Sequence, residues 1–481
     1  MEMTTWKRRT SPKPPTLLSK QWVSLSEQAW VNSAERYRKA ERAVVFWKEV
    51  GASPSQLSVL EGLIALSNGQ YDEAIRFARK ALEDEPMDEG SCNIGAHSLL
   101  AAASVWGGYC DLWEQEGQKL RQLTPKTDTD RLLMAYALVL SDPDEALQLL
   151  EDRPRIQRSP VGLLIRGQAR LLIGVDRQDA ESIGAALQDF QYVQFLCHNN
   201  RGSIAWRIHA LTQAIELAKR ERRDDDVARY VAEARPLAEA LAPIGDYPFG
   251  DWCRWLFYRA IGSLEEASQA IRRVGEHPGD HCLFLAANCL LRPGPTAAAE
   301  EFDKAIVHSD TESKYVQLAR AHVVRELPGG AELARSLIKD LLDDPSPIIC
   351  RHALLVLCLV GNTDEIRARA LKAYSTIRGE FYVPGDLFNG NACVKYLAGI
   401  LDEKEFLKGT GNHGYSKGVA HFNIAMMRLA EGRRDAAREH FALCVATNTV
   451  GSFDYELGRA YLARMEADPN WPSWIRDNVS K

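Results

Sequence analysis

The chain has 481 residues, too many for one ordinary compact core, which predicts several domains or a repeat array. Its formal net charge of -6 excludes a general nucleic-acid binder, which would carry a basic stripe along one face. No apolar run reaches membrane-spanning length and no secretory signal opens the chain, so no membrane association is expected. The 10 cysteines stand singly without a C-x-x-C pair, which argues against a zinc ribbon or a thioredoxin-like site and favours a reducing cytoplasm.

Residues 1–20 are basic, proline-containing and poor in core formers, and read as a disordered tail in which Pro12, Pro14 and Pro15 hold the chain extended. Residues 21–50 place Trp22, Trp30, Tyr37, Val44, Phe46 and Trp47 at helical spacing, as N-terminal capping helices would. From residue 51 the dominant signal is self-similarity at a period of roughly 34 residues. In LEGLIALSNGQYDEAIRFARKALEDEP (Leu60–Pro86), Gly62 and Ala65 lie on a first helix and Gly69 in the turn. Tyr71, Ala74, Ala78 and Ala81 mark one face of a second helix, which Pro86 stops. Small residues at Gly62 and Ala74 let the two helices cross closely. This unit resembles the tetratricopeptide repeat at nearly every signature position. The resemblance implies an all-α fold, an α-α superhelix (solenoid) of tetratricopeptide-like helix pairs, whose first helices line a groove that holds peptide segments of partner proteins.

Weaker copies are centred near Trp113, Ala146, Ala186 and Ala228, and the copy at Ala186 carries an apparent insertion, GVDRQDAES, at residues 174–182. The densest basic run, Lys219–Arg223, is followed at once by Asp224, Asp225 and Asp226, as in a solvated helix–helix turn. Further copies place Ala267, Ile271 and Val274 after turn Gly262, then Ala286, Ala298, Phe302 and Ala305, then Ala334, Ile338 and Leu341 before Pro345. Ile366, Ala370 and Ala373 follow, and Ala425, turn Gly432, Ala437, Phe441 and Cys444 close the series. About ten or eleven helix pairs are thus expected across residues 51–452, in an array whose continuity is open near 174–182 and 379–418. Residues 453–481 are expected to form a C-terminal capping helix, with Tyr455, Ala460, Tyr461 and Met465 inward, and a lid of Trp471, Pro472 and Trp474.

Catalytic motifs fail one by one. No kinase lysine, H-R-D loop or D-F-G occurs, and PFGDW at Pro248–Trp252 has the letters in the wrong order. Gly409, Gly411 and Gly414 form a G-x-G-x-x-G, but the sequence before them is helical in pattern, and Tyr415 stands where a phosphate loop needs lysine. The stretch reads as a helix–helix loop, with a helix from about Gly418 whose N-terminus offers a weak anion site. His277, His281, Cys282 and Cys289 assemble a zinc set on paper, yet Pro278 and Gly279 break any shared helical face, and the segment falls in an inter-repeat turn. The expectation is a non-enzyme without metal or cofactor.

Projecting each first helix by its register puts Trp252, Arg259, Arg320, Arg351, His352 and Asn423 towards the groove, with Trp252 exposed and Trp255 and Tyr258 in the core. Arginines on nearby repeats suit a protein or peptide partner that is acidic or offers a C-terminal carboxylate. The lysine/asparagine clamp of chaperone-binding tetratricopeptide proteins is absent, because Val59, Leu63, Phe422 and Met426 occupy slots where polar clamp residues would sit. The closing segment, AHFNIAMM through DPNWPSWI, is similar to repeat regions of planctomycete-type bacterial proteins, which often follow a serine/threonine kinase domain. The expected function is a non-catalytic scaffold or adaptor. The alternative is a regulatory or substrate-docking region for a bacterial serine/threonine kinase encoded separately or upstream.

Overall fold

The computed structural model describes residues 51–475, apart from 68–69, 85–90, 108–109, 140–141, 152, 198–200, 243–247, 276–280, 293, 307–312, 345–346, 377–389, 412–413 and 474, together with 44–45 and 48–49. The tail at 1–20, the capping aromatics Trp22, Trp30, Tyr37, Phe46 and Trp47, and Trp474 lie outside the described residues. Among the described residues the structure is helical, with one 3-10 turn and no strand, and no helix is long and apolar enough to cross a membrane.

Two compact units divide the chain, one of residues 1–169 and 189–201, the other of residues 170–188 and 202–481. The first begins with the pairs α1 (Pro54–Ser67) and α2 (Tyr71–Asp84), α3 (Ser91–Gly107) and α4 (Cys110–Gln122), and α5 (Asp128–Leu138) and α6 (Pro143–Leu150), then the single turn α7 (Pro154–Gln157). The helices α8 (Pro160–Arg177) and α9 (Ala180–Leu196) each contribute to both units. Next come α10 (Arg201–Arg220) with α11 (Asp224–Leu241), α12 (Pro248–Ala260) with α13 (Leu264–Gly275), and α14 (His281–Leu290) with α15 (Pro295–Ala305). The pair α16 (Lys314–Val324) and α17 (Gly330–Ile338) precedes the 3-10 turn Leu341–Asp343. The series ends with α18 (Pro347–Val360) and α19 (Thr363–Thr376), α20 (Gly390–Leu397) and α21 (Glu403–Gly409), α22 (Gly414–Ala430) and α23 (Arg434–Ala446), and a last helix α24 (Phe453–Ala467). The architecture is an α-solenoid of helix pairs.

Local chemistry sets these boundaries. Proline opens α6, α7 and α15, where its missing N–H leaves no helical bond unmade. Thr127 with Asp130 and Asp402 with Glu405 form capping boxes at α5 and α21. Gly262 and Gly432 close α12 and α22 at positive φ, so that the N–H of Ser263 reaches Tyr258 O and that of Arg433 reaches Arg428 O. Ala74, Ile75, Ala78 and Ala81 bury the inner face of α2. A Cβ added at Gly62 would lie 2.2 Å from Leu99 Cδ2 and 3.2 Å from Phe77 Cβ, so this glycine lets α1, α2 and α3 meet, as the small-residue pattern requires.

Two sequence expectations are corrected. GVDRQDAES is not an insertion: α8 continues to Arg177, Gln178 turns at φ 56°, and Asp179 accepts the N–H groups of Glu181 and Ser182 at the start of α9. Gly174, the first residue of that stretch, is a helix-crossing residue, since a Cβ there would sit 2.7 Å from Ile183 Cγ1. In the glycine-rich stretch α22 starts at Gly414, four residues before the expected point, because the Gly414 N–H donates to Asp176 Oδ1 at 2.7 Å. The anion position at that helix start is thus filled by the chain's own carboxylate.

Within the second unit, α24 packs against α14, α22 and α23. Its buried residues include Tyr455, Leu457, Ala460, Tyr461 and Met465 and also Asp454 and Glu456, so both sides of its first turn are covered. A helix buried nearly all round shows little amphipathic bias, which fits a helix enclosed by other helices.

Candidate functional site

Successive first helices of the second unit place polar side chains against α24. From α18, Arg351 donates through Nη2 to Asp454 Oδ1; from α12, Arg259 donates through Nη1 to Glu456 Oε2. Glu456 Oε1 also accepts the Gly451 N–H at 3.1 Å, and the Ser452 hydroxyl accepts the Tyr455 N–H at 3.3 Å. The α16 residue His322 shares a 2.5 Å hydrogen bond between Nδ1 and the Tyr461 hydroxyl. Just beyond α16, the Arg325 guanidinium lies 4.7 Å from the Tyr461 ring centre and 5.8 Å from that of Trp471. Trp471 Nε1 in turn donates to Glu326 at 3.2 Å.

Aromatic contacts set the entry of the helix. Phe453 packs at a tilt against Phe284 of α14 with ring centres 4.1 Å apart, and His352 meets it edge-on at 6.1 Å. Trp252 is only partly exposed: His209 and Phe249 flank its ring at 5.1 and 5.7 Å, and a Cβ on Gly451 would come within 2.8 Å of it. Gln213 Nε2 of α10 donates to Val450 O at 3.0 Å and tethers the turn that leads into α24.

Charge in this cleft is sharply divided. Burial pushes His209 down to about 4, and burial with a neighbouring arginine charge lowers His322 and His352 well below the ordinary histidine range. The histidines are therefore neutral near pH 7, and the arginines carry the positive charge. Burial raises the Asp454 carboxyl above its usual value, and the Arg351 charge and hydrogen bond only partly pull it back.

The six residues projected to the groove thus separate. Arg259, Arg351 and His352 share the cleft, fully buried beneath α24 rather than lining an open channel. Trp252 borders the turn before α24 instead of standing free. Asn423 turns its Nδ2 back to Val419 O, 2.8 Å away on its own helix. Arg320 is not in the cleft. It faces Asp303 of α15 at 3.3 Å, because the inward residue of α16 is His322, two positions or about 200° around the helix. The sequence projection missed His209, Gln213, His322, Arg325, Asp454 and Glu456. The signal available for the last two was an acid pair set among the aromatic and apolar residues of FDYELGRAY.

The paper zinc set does not assemble from what is described. Cys282 and Cys289 are fully buried, and burial pushes the Cys289 thiol up, away from the thiolate a metal needs. His277 and the His281 side chain lie outside the described residues, and among the described residues no three His, Cys, Asp or Glu side chains are placed to hold a metal. His421 and His440 meet at 3.0 Å between their Nδ1 atoms, with Glu403 3.5 Å from His440 Nε2.

No protein-family model matches the chain, and no curated protein matches it. Among solved structures, human IFIT1 in a dimer with m7Gppp-AAAA is 11% identical, with 92% of this chain and 89% of that one covered at a TM-score of 0.32. Yeast Tom70 is 14% identical over 95% of this chain and 98% of its own, also at 0.32. The Cut9–Hcn1 tetramer of the APC/C is 11% identical over 93% and 99%, at 0.28. Scores this low leave the assignment as an α-solenoid to rest on the chain's own helix pairs.

Proposed function

We propose that the chain is a non-catalytic repeat scaffold or adaptor that holds a protein or peptide partner in the groove of its second unit. The observation that supports this reading is that the first helices α12, α16 and α18 turn Arg259, His322 and Arg351 to one side, that on which α24 lies. Guanidinium groups set at fixed spacing along stacked helices favour carboxylate-bearing ligands. A cytoplasmic setting fits Cys253, Cys289, Cys350, Cys358 and Cys444, which are buried and not in disulfides. The similarity of the closing segment to kinase-linked bacterial repeats supports a second form of the reading, in which the scaffold docks substrates for a serine/threonine kinase.

A photo-reactive amino acid at Phe249, beside Trp252, compared with one at Tyr374 on an outer face, tests the scaffold reading. Protein adducts from the native lysate are expected at the first position and not at the second. Equal labelling at both would reject a groove partner. The kinase form is checked by the neighbouring reading frames, which should encode a kinase domain.

A further inference from the structure

The pair α22 and α23 carries two imidazoles that the groove reading does not use. His421 lies on α22 and His440 on α23, both partly exposed, with their Nδ1 atoms 3.0 Å apart. Two ring nitrogens that close cannot both carry a proton, so at least one presents a lone pair to the other. The carboxylate of Glu403 stands behind His440, its Oε1 3.5 Å from Nε2, the far nitrogen of the ring. Glu403 is itself held in place: it is the first residue of α21, next to the Asp402 capping box, and its Oε2 accepts from Arg428 Nη2. Arg428 Nη1 donates in turn to Glu431 at 2.6 Å.

A carboxylate beside Nε2 favours the tautomer that keeps its proton there and leaves the Nδ1 lone pair of His440 facing His421. Metal-ligating histidines are oriented in this way, one nitrogen for the ion and the other for a carboxylate. The spacing of the nitrogens selects the coordination angle. Two metal–nitrogen bonds of about 2.1 Å place their nitrogens about 3.0 Å apart at an angle of about 90°, and about 3.4 Å apart at the tetrahedral angle. The observed 3.0 Å matches the right angle of tetragonal copper(II) or nickel(II). The geometry points to a two-histidine site for such an ion, with Nδ1 of His421 and Nδ1 of His440 as ligands and water in the remaining positions. Glu403 faces the opposite nitrogen and is a positioning residue.

Binding balances in protons and in charge. The proton shared between the rings moves from Nδ1 of His421 to its Nε2 as the ion takes both lone pairs, so none is lost overall. Around the pair, Lys417, Arg428 and Arg433 are offset by Glu403, Glu431 and Glu439, and no net positive field opposes a cation. Two protein ligands are fewer than the four of a structural zinc site, which also points away from zinc. The bound ion ties α22 to α23, and the site stands whether or not the groove holds a partner.

The test is calorimetric titration of the full chain, freed of metal by chelation, with nickel chloride near pH 7, repeated with copper and with zinc. We expect one strong nickel site, copper tighter and zinc weaker, and a melting midpoint that rises with nickel. His421→Gln and His440→Gln should each weaken that site at least tenfold and abolish the rise. Glu403→Gln should weaken it about tenfold, whereas Glu439→Gln should leave it unchanged. A strong nickel site that survives either histidine variant would overturn the inference, because the ion would then sit on other histidines of the chain. Zinc binding more tightly than nickel would overturn it too, by making the site tetrahedral. Should a glutamine variant unfold, electron paramagnetic resonance of the unaltered chain with one equivalent of copper decides. Coupling to two ring nitrogens, weakened binding in Glu403→Gln included, supports the site, and coupling to one or none overturns it.

Discussion

Arg351 and Asp454, 103 residues apart in the chain, form an ion pair with side chains 4% and 3% exposed. Such a pair is expensive to break from one side and cheap to replace whole. Arg351→Met strands a buried carboxylate and should cost about 3–5 kcal/mol. Adding Asp454→Leu should recover most of that loss. Urea titrations of the single and double variants, read as a double-mutant cycle, check the coupling.

Acid should weaken the second unit through its neutral histidines. The folded value of His209 is about 4 against an ordinary 6.5, so above pH 6.5 both states are neutral and full stability is present. As pH falls from 6.5 towards 4 the unfolded chain takes up the proton and the folded one does not, a loss of about 3 kcal/mol from this group. His322 and His352 shift the same way, whereas Asp454, raised in the folded state, opposes the trend as pH falls through its folded value. His209→Phe, which can still pack beside Trp206 and Trp252, should flatten the pH dependence by about 1.4 kcal/mol per unit. Urea midpoints between pH 7.5 and 5 would show it.

Gly62 carries the helix crossing of the first pair. Gly62→Val adds atoms where even a Cβ collides with Leu99, and it should destabilise the first unit by about 1–3 kcal/mol. A lowered first transition in a thermal melt is the expected readout.

Asp176 caps α22 across 238 residues of sequence. Asp176→Ala should cost about 1 kcal/mol and speed amide exchange at Gly414 more than in the middle of α22. Exchange at Gly414 unchanged from the parent would show that the cap contributes nothing.

The helix pairs were legible in the sequence because small residues recur where helices cross, as Gly62 and Ala74 do. The repeat register turns Arg259, Arg351 and His352 to the side on which α24 lies, but nothing in the register shows that α24 covers them. Arg320 was misplaced by two residues, and on a helix that step exchanges the buried face for the opposite one. Gly414 misled because a glycine at a helix start looks in sequence like a glycine in a loop. The pairing of α24 with the cleft left no local signature: Arg259 and Glu456 are 197 residues apart, and no repeat period relates them. Only the folded chain brings those charges together.

The same separations impose an order of events on synthesis. Asp176 and Gln178 are made long before Gly414 and Thr447, which they contact in the finished second unit. At roughly 5–20 residues per second, the 238 residues between Asp176 and Gly414 take on the order of ten to fifty seconds to emerge. During that interval Arg259 and Arg351 are made while Glu456 and Asp454, their partners in the finished unit, are still to come. The second unit therefore acquires those two ion pairs only after Glu456 has been made.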